Sequence, residues 1–256
     1  MTIDAPGAPP APPAQATPSQ NSFERIAGVF FTPADTFADI ARKPNFLVPL
    51  LLIIALGYIS TFLMIPRMDW ESVKAQQMEA MRKRSPNATE SDLEPGLKVA
   101  QAIGKVAMYV SPLLGVIWYL IVAVVLFGAF RLMGGEGTFP QAFSATLHAW
   151  FPLVLFGIIL TIVILVQGTF DPITVATAVK SNPGFLVDMK EQPLLFALLS
   201  AIDLFTIWTV ALLITGFAAL SRKSWAQSAV IVVSLWAVLI LVKVGFAALG
   251  AMQSGS

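Results

Sequence analysis

Cysteine is absent from the 256 residues. That removes disulfides, a thiolate nucleophile, a cysteine zinc site and a palmitoylation site, and leaves the redox compartment open. Histidine is nearly as scarce: His148 is the only one. Multi-histidine metal sites are therefore excluded, and a Ser-His-Asp hydrolase would have a single candidate base. Charge is sparse as well. Only 12% of residues are charged, about half the share of an ordinary soluble domain. A net charge of +1 offers no basic stripe, so no nucleic-acid partner is expected. No embedded pair of carboxylates suggests general acid–base work. The Gly134, Gly135 and Gly137 cluster lacks the spacing and the following Lys-Ser/Thr of a nucleotide loop. These absences point away from an enzyme and imply no cofactor and no metal.

Apolar residues fill the space. They make up 56% of the chain, and mean hydropathy is +0.76. Five long apolar stretches stand out, at about 46–65, 108–131, 149–166, 194–220 and 226–250. Each is close to the ~20 helical residues that cross a hydrocarbon core about 30 Å thick. The fold class expected is all-α: a polytopic membrane protein, a bundle of five transmembrane helices preceded by an interfacial helical segment. Pro49, Pro112 and Pro152 fall near span starts, where lost backbone bonds cost little. The lipid bilayer is the first partner implied.

Outside the spans, residues 1–21 read as a disordered Pro/Ala-rich tail without the basic start and apolar core of a secretory signal. Within 22–43, Ser22 suits a cap for a helix carrying Phe23, Ile26, Phe30 and Phe31. Thr32-Pro33 suits the start of a second helix, with Phe37 and Ile40 on one face and Asp39 and Arg42 elsewhere. Such a segment either lies in the membrane interface or packs on the bundle as a small cap. Residues 67–107 form the one long polar connector. A helix is expected over 70–84, a break over 85–96, and a lead-in to the second span over 97–105. Asn87-Ala88-Thr89 matches a glycosylation acceptor, a pattern frequent by chance.

A very short turn at 221–225 forces spans four and five into an antiparallel hairpin. Five spans put the termini on opposite sides. Positive charge is almost evenly divided between the two sides, but Arg222 and Lys223 in the tightest turn favour a cytoplasmic N terminus. Asp203 lies within the fourth apolar stretch and Lys243 within the fifth. Intramembrane ionisable groups are costly, and are commonly paired or functional. Each lies 20 residues from the turn centre at 223, so equal helical pitch puts both at one depth, about 25 Å from the turn. They form a candidate intramembrane pair that either locks the hairpin or relays an ion. Alternatively, Lys243 snorkels to the far interface. His148, Trp150 and Pro152 read as an aromatic belt at the membrane surface, with pH sensing at His148 as the sharper alternative.

Three segments carry a family resemblance. RIAGVFFTPADTFADIARKPNFLVPLLL (25–52) resembles the start of the Yip (Ypt-interacting protein) domain, in which an arginine and a Phe-x-Pro-x-x-x-Phe-like segment precede a proline-bearing span; Phe31, Pro33 and Phe37 fill it here. GGEGTFPQAFSATLHAWFPLVL (134–155) resembles the family's Gly-Gly, short helix and aromatic-Pro approach to span three. Residues 203–236 resemble the last hairpin of prokaryotic members, with Asp203, Trp208, Gly216 and Lys223 in place of the acid, tryptophan, glycine and basic turn. The resemblance covers about 22–250. It implies a five-span helical domain with a cytoplasmic N terminus. Eukaryotic members resemble membrane partners of Rab-type GTPases; the polar 67–105 connector, the tail and the missing cysteine look bacterial instead. The expectation is a non-enzymatic membrane-organising or protein-interaction scaffold in a bacterial cytoplasmic (inner) membrane that binds other membrane proteins or further copies of itself. Phe31, Pro33, Phe37, His148, Trp150 and Pro152 are the candidate interaction residues. The alternative is a small-solute or ion transporter using Asp203 and Lys243.

Overall fold

A computed structural model describes residues 19–172, 174–189 and 191–254. The tail expected at 1–21 lies outside these residues except for 19–21. Among the described residues the chain is helical, with short 3-10 turns and one isolated parallel bridge between Met68 and Phe170. In order, the helices are α1 (Ser22–Phe31), α2 (Pro33–Arg42), α3 (Leu47–Met64), α4 (Trp70–Arg84), α5 (Glu90–Leu132), α6 (Phe139–Ala149), α7 (Phe151–Gln167), α8 (Pro193–Leu199), α9 (Leu204–Ser221) and α10 (Trp225–Ser254). Five stretches are long and apolar enough to cross a membrane: Leu47–Arg67, Glu90–Leu132, Phe139–Gln167, Leu204–Ser221 and Trp225–Met252. This is an all-α polytopic membrane fold.

The crossing helices divide into a centre and a periphery. In α9, 56% of the apolar window is buried within the protein, against 6% in α10 and 11% in α3. In α6 every residue from Ala142 to Ala149 is buried. So α6 and α9 form the centre, and α2, α5 and α10 pack around them. Large apolar side chains such as Ile59 and Phe62 of α3, Val124 of α5, and Val230 and Leu241 of α10 point outward, each more than half exposed. In a soluble protein such a surface would be an aggregation hazard. Here it is the surface that meets hydrocarbon.

Two of the expected spans, the second and the fourth, differ in the structure, each for a local reason. The second span is the end of one 43-residue helix that begins at Glu90. A Thr89/Asp92 capping box starts it where a break was expected, and the Pro112 ring sits close against Gly57 of α3. The third span, expected at 149–166, is α7 (Phe151–Gln167), with α6 as the short helix leading into it; α6 ends at Ala149, and Pro152, which has no N–H to continue that helix, occupies the first turn of α7. The fourth is split, with α8 and α9 separated by residues 200–203. The tight turn between α9 and α10 forms as expected. Arg222 takes a left-handed conformation (φ 53°) to make it, and the Arg222 guanidinium pairs with Glu136 at 3.2 Å. That contact, together with the bond from the Glu136 N–H to the Ser221 carbonyl, puts the α5–α6 connector at the same end of the bundle as the turn.

Candidate functional site

The N-terminal hairpin is a docked element. Asn21 caps α1 by accepting from the Phe23 and Glu24 N–H groups, and Glu24 returns the bond to the Asn21 N–H at 2.7 Å. Ser22, the expected cap, is the first helical residue instead. Thr32 and Pro33 do start α2, though the Thr32 side chain makes no capping bond. Gly28 lets the two helices close, since a methyl group there would overlap the Thr36 hydroxyl. On the far side, Phe37 of α2 is 1% exposed and its ring lies against Gly216 of α9 and near Ala145 of α6. Phe30 meets Trp208 edge-on, with centroids 5.3 Å apart. The Gln141 amide and the Ser144 hydroxyl of α6 donate to the Ala41 and Asn45 carbonyls, which tie down the exit of α2.

A charge pair is buried in this hairpin. Asp39 was expected away from the packed face, but it is 3% exposed and Arg25 is 2% exposed. Arg25 Nε and Nη2 both donate to Asp39 Oδ2, at 2.9 and 2.7 Å. Arg42 reaches Oδ1 at 3.3 Å, and the Gln20 N–H adds a bond at 3.2 Å. Burial alone would push the Asp39 carboxyl up. The Arg25 hydrogen bonds and charge, helped by Arg42, outweigh it and hold the group below its ordinary 3.8. Arg25 lies fourteen residues before Asp39, on another helix, so no local pattern revealed the pair.

The Phe31, Pro33 and Phe37 motif divides in two. Phe37 is the buried anchor, Pro33 is half-buried at the hairpin tip, and Phe31 is 84% exposed. Phe23, on the same face of α1, is 71% exposed. The second group of candidates is placed differently from the expected belt. His148 is fully buried, Pro152 is buried and Trp150 is half-buried beside Tyr119. The flanking aromatics imitated an interface, whereas the small residues Ala142, Ser144, Ala145 and Ala149 let α6 sit at the centre. His148 Nδ1 lies 2.8 Å from the Ser144 carbonyl. A carbonyl only accepts, so the proton is on Nδ1, and Nε2 is an acceptor with no partner among the described residues.

Asp203 sits at a helix end rather than inside a span. Its Oδ1 accepts from the Phe205 and Thr206 N–H groups at 2.9 and 3.1 Å, capping α9. Its Oδ2 accepts a short bond from the Ser181 hydroxyl. Lys243 is close by, near enough for the Asp203 charge to act on it. Its ammonium nonetheless donates to Ser200 Oγ at 2.9 Å, and no ion pair joins it to Asp203 among the described residues. The sequence Asp203-Leu-Phe-Thr206 carries a capping signal that the apolar run on either side obscured. No group of three or more His, Asp or Glu side chains able to hold a metal occurs among the described residues.

A family model described as the Yip1 domain matches residues 27–246, a stretch that takes in the second half of α1, all of α2, the buried α6 and the α9–α10 turn, and begins after Phe23 and Arg25. Neither the curated proteins nor the solved structures include a match to the chain.

Proposed function

Because the chain belongs to the Yip1 domain family, we propose that it is a non-enzymatic scaffold of the prokaryotic branch, presenting its N-terminal hairpin to other membrane proteins or to further copies of itself. Members of the family are in general not enzymes and interact with other proteins. One observation carries the reading: Phe23, Ala27 and Phe31 are exposed at i, i+4 and i+8 on α1, while the Arg25–Asp39 pair holds α1 to α2 and the opposite side of the hairpin is fixed to the bundle through Phe37 and the bonds from Gln141 and Ser144. A rigid base under an exposed aromatic strip has already spent its ordering entropy, which favours binding. Arg42, Lys43, Arg131, Arg222 and Lys223 gather at this end of the bundle, which supports a cytoplasmic N terminus. The cysteine-free composition and the Ala/Pro-rich tail support a bacterial cytoplasmic membrane.

The test is photo-crosslinking in native membranes from position 27, which is exposed between the two phenylalanines. Discrete protein adducts that vanish in a Phe23→Ser/Phe31→Ser double variant are the expected result. Adducts with lipid alone would leave α1 as a purely interfacial helix and defeat the scaffold reading. The transport alternative has less behind it, because the Asp203 carboxylate already accepts two helix N–H bonds and a serine hydroxyl. A liposome flux assay separates the two readings: equal tracer leak from wild type and Asp203→Asn across several solutes counts against transport.

A further inference from the structure

A groove runs down the outside of the bundle between α5, α9 and α10. Its volume is about 430 Å³, and apolar side chains make up most of its lining, Trp118, Leu126, Trp236 and Leu239 among them. It opens onto the surface that meets hydrocarbon. Four polar side chains interrupt the lining: Ser200, Thr206, Thr209 and Lys243. Thr209 is 3% exposed, and its Oγ1 has no partner among the described residues, unlike Thr146, Thr161 and Thr215, whose hydroxyls bond back to a carbonyl four residues earlier. Lys243 stands at the end of the groove far from the α9–α10 turn.

Geometry matches this groove to one kind of molecule. Lys243 lies 18 residues past the start of α10 at Trp225, about 27 Å along the helix. That is close to the full thickness of a hydrocarbon core, so the ammonium reaches the headgroup level of the leaflet opposite the N-terminal hairpin. From Lys243 to Val232 the groove follows α10 for eleven residues, about 16 Å, the reach of a single hydrocarbon chain. Among the described residues the ammonium has one hydroxyl partner and no ion pair. The nearby acid, Asp203, already accepts from the cap of α9 and from Ser181. A cation at headgroup level above a chain-length apolar slot has both charge and shape to complement an anionic lipid.

We infer that this groove is a binding site for one anionic phospholipid of the leaflet opposite the N-terminal hairpin. Its phosphate meets Lys243, and one acyl chain lies along Leu239 and Trp236 toward Val232. The site exists whatever the α1 strip binds, so the two readings fail independently.

The experiment is native mass spectrometry of the full chain released from nanodiscs that contain equal amounts of phosphatidylglycerol and phosphatidylcholine with matched chains. One phosphatidylglycerol retained per chain is expected, favoured about fivefold, the size of one lysine's attraction to an anionic surface. Lys243→Gln should bring retention down to the phosphatidylcholine level, and Lys223→Gln at the other end should not. Leu239→Trp, which fills the slot and leaves the charge, should release both lipids and so reports on the chain separately from the headgroup. Equal retention of the two lipids by wild type, or unchanged preference in Lys243→Gln, would overturn the site. Displacement by an equal amount of a polyprenyl phosphate would overturn the phospholipid assignment.

Discussion

Two helical hairpins flank the crossing helices at opposite ends, and they are held by opposite means. The α1–α2 hairpin is short, closes over a glycine, and buries an arginine and an aspartate whose side chains are 3% and 4% exposed. The hairpin of α4 and the start of α5 is longer and buries nothing from α4. Its charges meet at the surface: Arg82 with Glu90, Lys83 with Glu79 and Lys98 with Glu94, all more than half exposed. A buried pair is a poor source of net stability but is severe when broken, because one partner is left charged in a low dielectric. A surface pair exchanges water for water and matters little either way. The first hairpin is therefore specified as a single geometry on the bundle, and the second is an arm steadied by Leu93 and Leu97, by the contact of Lys105 with the Trp70 ring at 4.9 Å, and by bonds from Ser72 and Gln76 at the base of α4 to Asp171.

The hardest blow to this contrast is Arg25→Met. It leaves Asp39 buried without its main partner, at a cost of about 3–5 kcal/mol, which should undock the hairpin. The chain has no cysteine, so a Val29→Cys background gives one thiol at a fully buried position. Its labelling rate in mild detergent should rise steeply when Arg25 is replaced; an unchanged rate would mean that the pair does not hold the hairpin. Acid should act on the same bond. The folded Asp39 group titrates below its ordinary 3.8, so its contribution is complete above that value and is lost as pH falls through the lower folded pKa. Labelling at position 29 should stay flat down to about pH 4 and rise only beneath it. In Asp39→Asn the acid-dependent rise should be gone.

Gly216→Val comes next. The Cβ would lie 2.9 and 3.0 Å from ring carbons of Phe37, so the α2–α9 approach must open. Overpacking of this kind costs about 1–3 kcal/mol, and both a lower melting midpoint and faster labelling at position 29 are expected. Asp203→Ala acts elsewhere. It removes the α9 cap and the Ser181 bond, for a loss of about 1 kcal/mol that should show as faster hydrogen exchange at Phe205 and Thr206. Asp203→Asn, still able to cap, should fall between the alanine variant and wild type. An effect confined to the hairpin, with none at the start of α9, would contradict the assignment of Asp203 to that helix end.

The features that were legible in the sequence are those set by solvent and chain length. The five apolar stretches, the α9–α10 turn around Arg222, and the Thr32-Pro33 break between α1 and α2 all follow from local composition. Features set by contacts between distant segments were not legible. Asp39 sits on the packed side of α2 only because Arg25 waits on α1. His148 looked like a surface residue because Trp150 and Phe151 follow it, and its burial depends on α9 and α2 closing over the small residues of α6. The break before the third span was legible from Pro152, whereas the break at 200–203 vanishes into continuous hydrophobicity, although the Asp203 capping position marks it. In lipid the apolar pattern reports which segments cross and is silent about which face of each turns inward, because lipid and protein interior are equally apolar.

The smallest expected effect sharpens the comparison most. Arg82→Gln removes the charge that joins α4 to Glu90 at the start of α5. If the polar arm were a docked element like α1–α2, this change would cost several kcal/mol, as Arg25→Met should. With the two side chains 55% and 73% exposed, the pair is worth at most about 1 kcal/mol. Half-molar salt, which shortens the reach of exposed charges to a few ångströms, should erase even that. The melting midpoints of wild type and Arg82→Gln should converge as salt is added, while the gap between wild type and Arg25→Met persists, because salt cannot reach a pair enclosed by protein. A salt-resistant loss in Arg82→Gln would show that the arm packs against a surface, and the two hairpins would then have to be counted as the same kind of element.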